Sequence, residues 1–314
     1  NRLYMIGFTR GHIYCYDFNE RRVIKDLGKV SEIFCFRLVL GADGNIYGCS
    51  KSGQMFKVDT DKVAIEHLEF HAPAELFDMK CGLWYQYMVQ GRVHPSGKYL
   101  YFVLASRPAM WRLEFATGEV TCVGNALPKD GLFEHYGSIQ GFDIDKEGVI
   151  WYAMQGSSGM KPPYMYIDRS YLVRWNPDAG EEPYVCGLFG KPERIQCYVT
   201  EVEYDHKNDR LFWVDQVSSS PVDRPSAGGV DLREFRKVYR ERGPISDSEN
   251  LVPVFVEDEI LEARKAARTR PFVGEENPRH NPFHAFPPEK VEPIRIWRSV
   301  PRLEVEDSKV IGMA

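Results

Sequence analysis

Hydrophobic positions along this chain fall in short runs, alternating or wholly apolar, cut by turns that carry Gly, Asp or Asn. One phrase returns at intervals of roughly 50 to 60 residues. It is a polar turn followed by an aromatic-rich run: Asp43-Gly44-Asn45-Ile46-Tyr47, Ser96-Gly97-Lys98-Tyr99-Leu100-Tyr101, Glu147-Gly148-Val149-Ile150-Trp151 and Asn208-Asp209-Arg210-Leu211-Phe212-Trp213. A second phrase alternates with it and ends on an acid or amide: Ile13-Tyr14-Cys15-Tyr16-Asp17, Met55-Phe56-Lys57-Val58-Asp59, Met110-Trp111-Arg112-Leu113-Glu114 and Leu172-Val173-Arg174-Trp175-Asn176.

These phrases have the physics of antiparallel sheet. Gly, Asp and Asn tolerate the positive φ of tight hairpins. Aromatic and β-branched side chains suit a pleated surface, and alternation such as Lys57 outward and Val58 inward predicts one buried face. No helical pattern separates the runs, which disfavours a parallel βαβ sheet. Each repeat holds about four short strands, the size of a propeller blade. The fold class expected is therefore all-β, a β-propeller of about five blades plus the start of another. Its units fall near 1–35, 36–90, 91–138, 139–198 and 199–300, in a single domain over 1–314 that is cut at both ends.

Residues 216–292 break the repeat and read as a helical and Pro-rich insertion in the fifth unit. Ser218-Ser219-Ser220-Pro221 and Ser226-Ala227-Gly228-Gly229 read as loop. Helices are predicted over 231–239 and about 256–268 from apolar spacing. The basic residues there, Arg233, Arg236, Lys237, Arg264, Lys265 and others, interleave with Glu234, Glu241, Glu259 and Glu262, which predicts a solvated face.

Composition narrows the function classes. A net charge of −5 and a pI near 6.0 give no pull toward nucleic acid or an anionic membrane, and no partner of either kind is expected. No run of 18 apolar residues predicts a membrane helix. Seven cysteines, an odd number without a CxxC, predict buried thiols rather than disulfides or a zinc ribbon. With no signal peptide at Asn1-Arg2-Leu3-Tyr4-Met5-Ile6-Gly7, they place the protein in a reducing, cytoplasmic compartment. The sequence has no GxGxxG, Walker loop, GxSxG or HExxH motif, and it names no cofactor.

The phrases Gly41-Ala42-Asp43-Gly44-Asn45-Ile46-Tyr47 and Phe142-Asp143-Ile144-Asp145-Lys146-Glu147-Gly148-Val149-Ile150-Trp151 resemble the broad class of NHL-type, gluconolactonase-like and virginiamycin B lyase-like propellers. The resemblance spans most of 1–215 and implies architecture. The matching residues are strand and turn, so activity has to be argued from a site.

In such a propeller the loops leading into the innermost strands converge around the axis and make a concave site. Here they are polar and aromatic: 84–90, 134–140 and 194–201. Tyr85, Tyr87, Gln90, Glu134, Gln140, Tyr198 and Glu201 are the expected ligand-binding residues, with aromatic rings for sugar faces and amides and acids for hydroxyls. His135 or Tyr136 would serve as a general base and Arg194 would neutralise an acidic group, the roles needed for lyase-type proton abstraction. The expected ligand is a small molecule or saccharide, with no metal assigned. The segment Gln155 to Tyr166, rich in Gly and Pro, reads as a lip of this site. Two alternatives stand beside it: a protein-interaction scaffold using 216–292, and a metal-dependent lactonase.

Overall fold

The computed structural model describes residues 1–7, 11–31, 37–73, 87–105, 107–128, 137–156, 169–191, 194–195, 199–215, 226–233 and 236. The chain divides into two compact units, Asn1–Ala266 and Ala267–Ala314, and every described residue belongs to the first.

The strands form consecutive antiparallel meanders. The first sheet holds β1 (Arg2–Ile6), β2 (His12–Asp17) and β3 (Arg22–Lys29). The second holds β4 (Val39–Leu40), β5 (Ile46–Cys49), β6 (Gln54–Asp59) and β7 (Ala64–His71). The third holds β8 (Met88–Val93), β9 (Tyr99–Leu104), β10 (Arg107–Glu114) and β11 (Val120–Asn125). The fourth holds β12 (Gly137–Ile144), β13 (Ile150–Gly156), β14 (Arg169–Trp175) and β15 (Tyr184–Leu188). A short ladder of β16 (Gly190–Lys191) and β17 (Arg194–Ile195) precedes the fifth sheet, β18 (Val199–Asp205), β19 (Arg210–Asp215) and β20 (Ser226–Asp231). This succession of small meandering sheets is a β-propeller.

The core lies between consecutive sheets. Ile13 and Val30 of the first sheet region pack on Phe56 and Val58 of the second. Tyr47, Cys49 and Met55 meet Leu100, Phe102 and Leu113 of the third. Tyr101 and Val103 meet Phe142, Ile150 and Tyr152 of the fourth. Trp151, Ala153 and Leu172 meet Val202, Leu211 and Trp213 of the fifth. Middle strands are thus covered on both faces, which explains why Tyr99-Leu100-Tyr101-Phe102-Val103-Leu104 carries no polar alternation. It also corrects the one-sided burial expected of β6: Met55 faces the third sheet and Phe56 the first, and both are fully buried.

The turns named from sequence have the backbone their residues suit. Gly44, Gly97, Gly148 and Asp209 adopt φ of 81°, 70°, 81° and 56° at the hairpin after each innermost strand. One loop reading is overturned. Ser226-Ala227-Gly228-Gly229 lies in β20, paired along β19 from Asp215↔Ser226 to Arg210↔Asp231. Backbone hydrogen bonds to β19 hold this Gly-rich stretch, and they need no side chains. In the region expected to begin a helix, Leu232, Arg233 and Arg236 are helical. The expected helix at 256–268 and the rest of the 216–292 insertion lie outside the described residues.

Cys15, Cys49 and Cys186 are buried thiols in strands, whereas Cys122 is exposed on β11. Cys35, Cys81 and Cys197 are not among the described residues. No helix among the described residues is long and apolar enough to cross a membrane.

Candidate functional site

The innermost strands of neighbouring sheets run side by side, β12 against β8 and β18, and β4 against β8. Strands β8, β12 and β18 each carry a bulge at the same register, between Met88 and Gln90, Ile139 and Gly141, and Val199 and Glu201. The pairing with the following strand aligns Gln90, Gly141 and Glu201 as one tier, and Arg92, Asp143 and Glu203 as the next. Residues two apart on a strand share a face, so the two tiers form one polar strip along the innermost strands. Arg37, just before β4, joins the first tier through its contacts.

Glu201 is the meeting point of that tier. Gln90 Nε2 donates to its Oε2 at 2.8 Å, and Arg37 makes an ion pair with its Oε1. Arg37 Nε also donates to the Val89 carbonyl at 3.2 Å. Gln90 is almost wholly buried and its Oε1 accepts from Gly91 N. Gly141 contributes no side chain because none fits. A Cβ there would stand 2.7 Å from Glu201 Cα and Thr200 O. The β12 and β18 backbones touch at this point.

In the second tier Arg92 bridges three strands. Its Nη2 pairs with Glu203 of β18, and its Nε lies 3.4 Å from Asp143 Oδ1 of β12. Asp143 also accepts backbone N–H bonds from Ile144 at 2.8 Å and Tyr204 at 2.7 Å. Burial raises the Asp143 pKa, and Arg92 opposes the shift. Glu203 is raised for the same reason, but 58% of its side chain is exposed, so solvent weakens the effect. Burial lowers the Arg37 pKa, aided by repulsion from Arg92. Arg92 Nε is buried and makes no hydrogen bond within the protein.

Of the residues expected from sequence, the structure brings Gln90 and Glu201 into direct contact. Gln140 sits on β12 next to Gly141 and is partly buried. Tyr87 packs against the core between the third and fourth sheets, and its carbonyl accepts from Ala105 N at 3.1 Å. Arg194 lies in β17, paired with Lys191. Tyr85, Glu134, His135, Tyr136 and Tyr198 lie outside the described residues, as does most of the lip from Gln155 to Tyr166. Sequence reasoning missed Arg37, Arg92, Asp143 and Glu203. For Arg92, Asp143 and Glu203 the signal was present: charged residues interrupting innermost strands, visible once the repeats are aligned strand by strand. Among the described residues, no group of three or more His, Cys, Asp or Glu is placed to hold a metal ion.

No protein-family model matches the chain, and no curated protein matches it. Among solved structures, it is similar to hydrazine synthase of Kuenenia stuttgartiensis (13% identity, TM-score 0.49, covering 68% of this chain and 61% of that one). It is also similar to a protein from Lactobacillus plantarum (11% identity, TM-score 0.49, covering 74% of this chain and 64% of that one). A third likeness is to the extracellular domain of a putative one-component system from B. thetaiotaomicron (11% identity, TM-score 0.46, covering 68% of this chain and 24% of that one). Each match spans less than two thirds of the other chain. At these similarities none of them bears on what this chain binds.

Proposed function

We infer that this chain is a ligand-binding β-propeller whose ligand, a small polyhydroxylated molecule or saccharide, enters from the loops leading into the innermost strands and ends against the Arg37–Glu201–Gln90 tier. The observation that carries this reading is the convergence of a guanidinium and an amide, Arg37 and Gln90, from other sheets on the Glu201 carboxylate. That set offers donors and acceptors side by side, the chemistry that grips a vicinal diol. Its charges are balanced, which favours a neutral ligand over a polyanion. Arg92 adds a buried Nε one tier away, beside Asp143 Oδ1 at 3.4 Å and without a hydrogen bond. Membership of the gluconolactonase-like or virginiamycin B lyase-like class, and proton abstraction by His135 or Tyr136 with Arg194, belong to the same proposal as its catalytic extension.

The test is a screen of neutral and acidic oligosaccharides by calorimetry, comparing the wild type with Glu201→Gln and Gln90→Ala, each checked for native circular dichroism. A hydrogen bond to a charged group contributes about 1.5 to 3 kcal/mol, so Glu201→Gln should weaken binding by roughly 10- to 100-fold. Unchanged affinity in both variants for every saccharide bound, or no saccharide bound by the wild type at millimolar concentration, overturns the reading.

A further inference from the structure

A second polar cluster lies at the far end of β8, between the third and fourth sheets, where the strands turn into β9. His94 Nδ1 accepts the Ser96 backbone N–H at 3.2 Å and meets the Ser96 hydroxyl at 2.9 Å. In the neutral ring the proton therefore sits on Nε2. Burial favours that neutral ring by lowering its pKa, against the pull of Asp178 and with help from Arg112. Nε2 is itself buried and makes no hydrogen bond. It points at Asp178, whose Oδ2 is 3.7 Å away.

Two more donors face the same carboxylate. Tyr101 OH is 3.3 Å from Asp178 Oδ1, and Arg112 Nη1 is 3.5 Å from it. Arg112 is held over the Tyr99 ring at 4.7 Å. All these distances exceed the roughly 2.7 to 2.9 Å of a close charge-assisted bond. Three donors thus face one acceptor that reaches each of them only at long range. Tyr101 is buried in the floor, and the bare Gly148 packs against His94, where a Cβ would lie 2.9 Å from Nε2.

Asp178 can leave without undoing its own turn. The 3-10 turn Pro177–Ala179 is braced by Asn176 Oδ1 accepting from Ala179 N at 3.2 Å and by Gly180 N donating to Pro177 O at 3.0 Å. Trp175 Nε1 donates to Glu181 O at 2.8 Å beside it. None of these bonds uses the Asp178 carboxylate, and 47% of that side chain is exposed.

We propose that this seam is a receptor for the carboxylate of a ligand, with Asp178 as a resident occupant that the ligand displaces. One fixed cation and two neutral donors match a single negative charge, and the flat guanidinium and imidazole suit a planar anion. The site uses none of the residues around Glu201, so it stands or falls separately from the saccharide reading.

The experiment titrates acetate against the full chain, with chloride at equal ionic strength as the control. The readouts are the His94 ring nitrogens by NMR and thermal melting. Acetate should shift the wild-type His94 signals saturably, and Asp178→Ala should reach the same shift at about tenfold lower acetate, because the built-in competitor is gone. Arg112→Gln in the Asp178→Ala background should abolish the response. Should Asp178→Ala not fold, Asp178→Asn takes its place. The proposal is overturned if acetate and chloride act alike on both proteins. It is equally overturned if only the variant responds, since Asp178 is then a plain brace, or if phosphate saturates the site at lower concentration than acetate.

Discussion

Gly141→Ala probes the closest approach of two innermost strands. The methyl group would lie 2.7 Å from Glu201 Cα and from Thr200 O, and 2.8 Å from Val202 N, where ordinary contact begins at 3.4 Å. Strands β12 and β18 must therefore part by about 0.6 Å or more, and because every obstructing atom is backbone, no side chain can rotate away. Overpacking of this kind costs about 1 to 3 kcal/mol. The same movement carries Glu201 away from Gln90, now at 2.8 Å, and forfeits a further ~1 kcal/mol. Alanine restricts the unfolded chain and returns about 0.4 to 1 kcal/mol. The net expectation is a loss of about 1 to 3.5 kcal/mol, read as a lower urea midpoint at unchanged slope. Gly7→Ala is the control, since its methyl would find only His12 O at 3.7 Å and Tyr14 Cε2 at 3.8 Å. Equal stability of Gly141→Ala and Gly7→Ala would refute the argument that backbone contact excludes a side chain at 141.

Asp145 is wholly buried and accepts from Glu147 N, Val149 N, Trp151 Nε1 and Arg236. Asp145→Ala strands those donors and should cost about 3 to 5 kcal/mol in chemical denaturation; a loss under 1 kcal/mol would contradict the bonding described. His94 has a pKa lowered by burial, so on acidification the unfolded chain takes this proton before the folded one does. The stability it supports is complete above about pH 6.5 and declines below that. His94→Gln should flatten the profile below about pH 6.5, and a slope identical to wild type in urea melts would sink the assignment. Among Cys15, Cys49, Cys122 and Cys186, peptide-resolved thiol labelling should modify Cys122 first. Cys186, whose thiol burial drives far above the usual range, should stay unmodified until the chain unfolds.

The repeat was legible because the hairpin after each innermost strand needs a residue that accepts positive φ, and such residues are few. Gly44, Gly97, Gly148 and Asp209, each followed by an aromatic-rich run, therefore marked the sheets. Strand β20 was not legible. Ser226-Ala227-Gly228-Gly229 offers no side-chain pattern, and its place is set by the exposed edge of β19. The site was half legible. Gln90 and Glu201 were picked as members of polar lead-in loops, yet they meet because their strands share a bulge register. Arg92 escaped notice for the complementary reason: a charge inside an apolar strand looks like an outward-facing residue until the partners from other sheets are known, and Arg37, just before β4, carries no pattern of its own.

The hydrogen bond from Gln90 to Glu201 and the ion pair from Arg92 to Glu203 each join positions 111 residues apart, whereas every sheet is sewn together from neighbouring hairpins. Local meanders can gain most of their order before such distant ends meet. The axial ties then form after the rate-limiting step, and weakening them should leave refolding speed nearly untouched while shortening the lifetime of the native state. Arg37, Arg92 and Glu201 would in that case govern how long the molecule persists once formed.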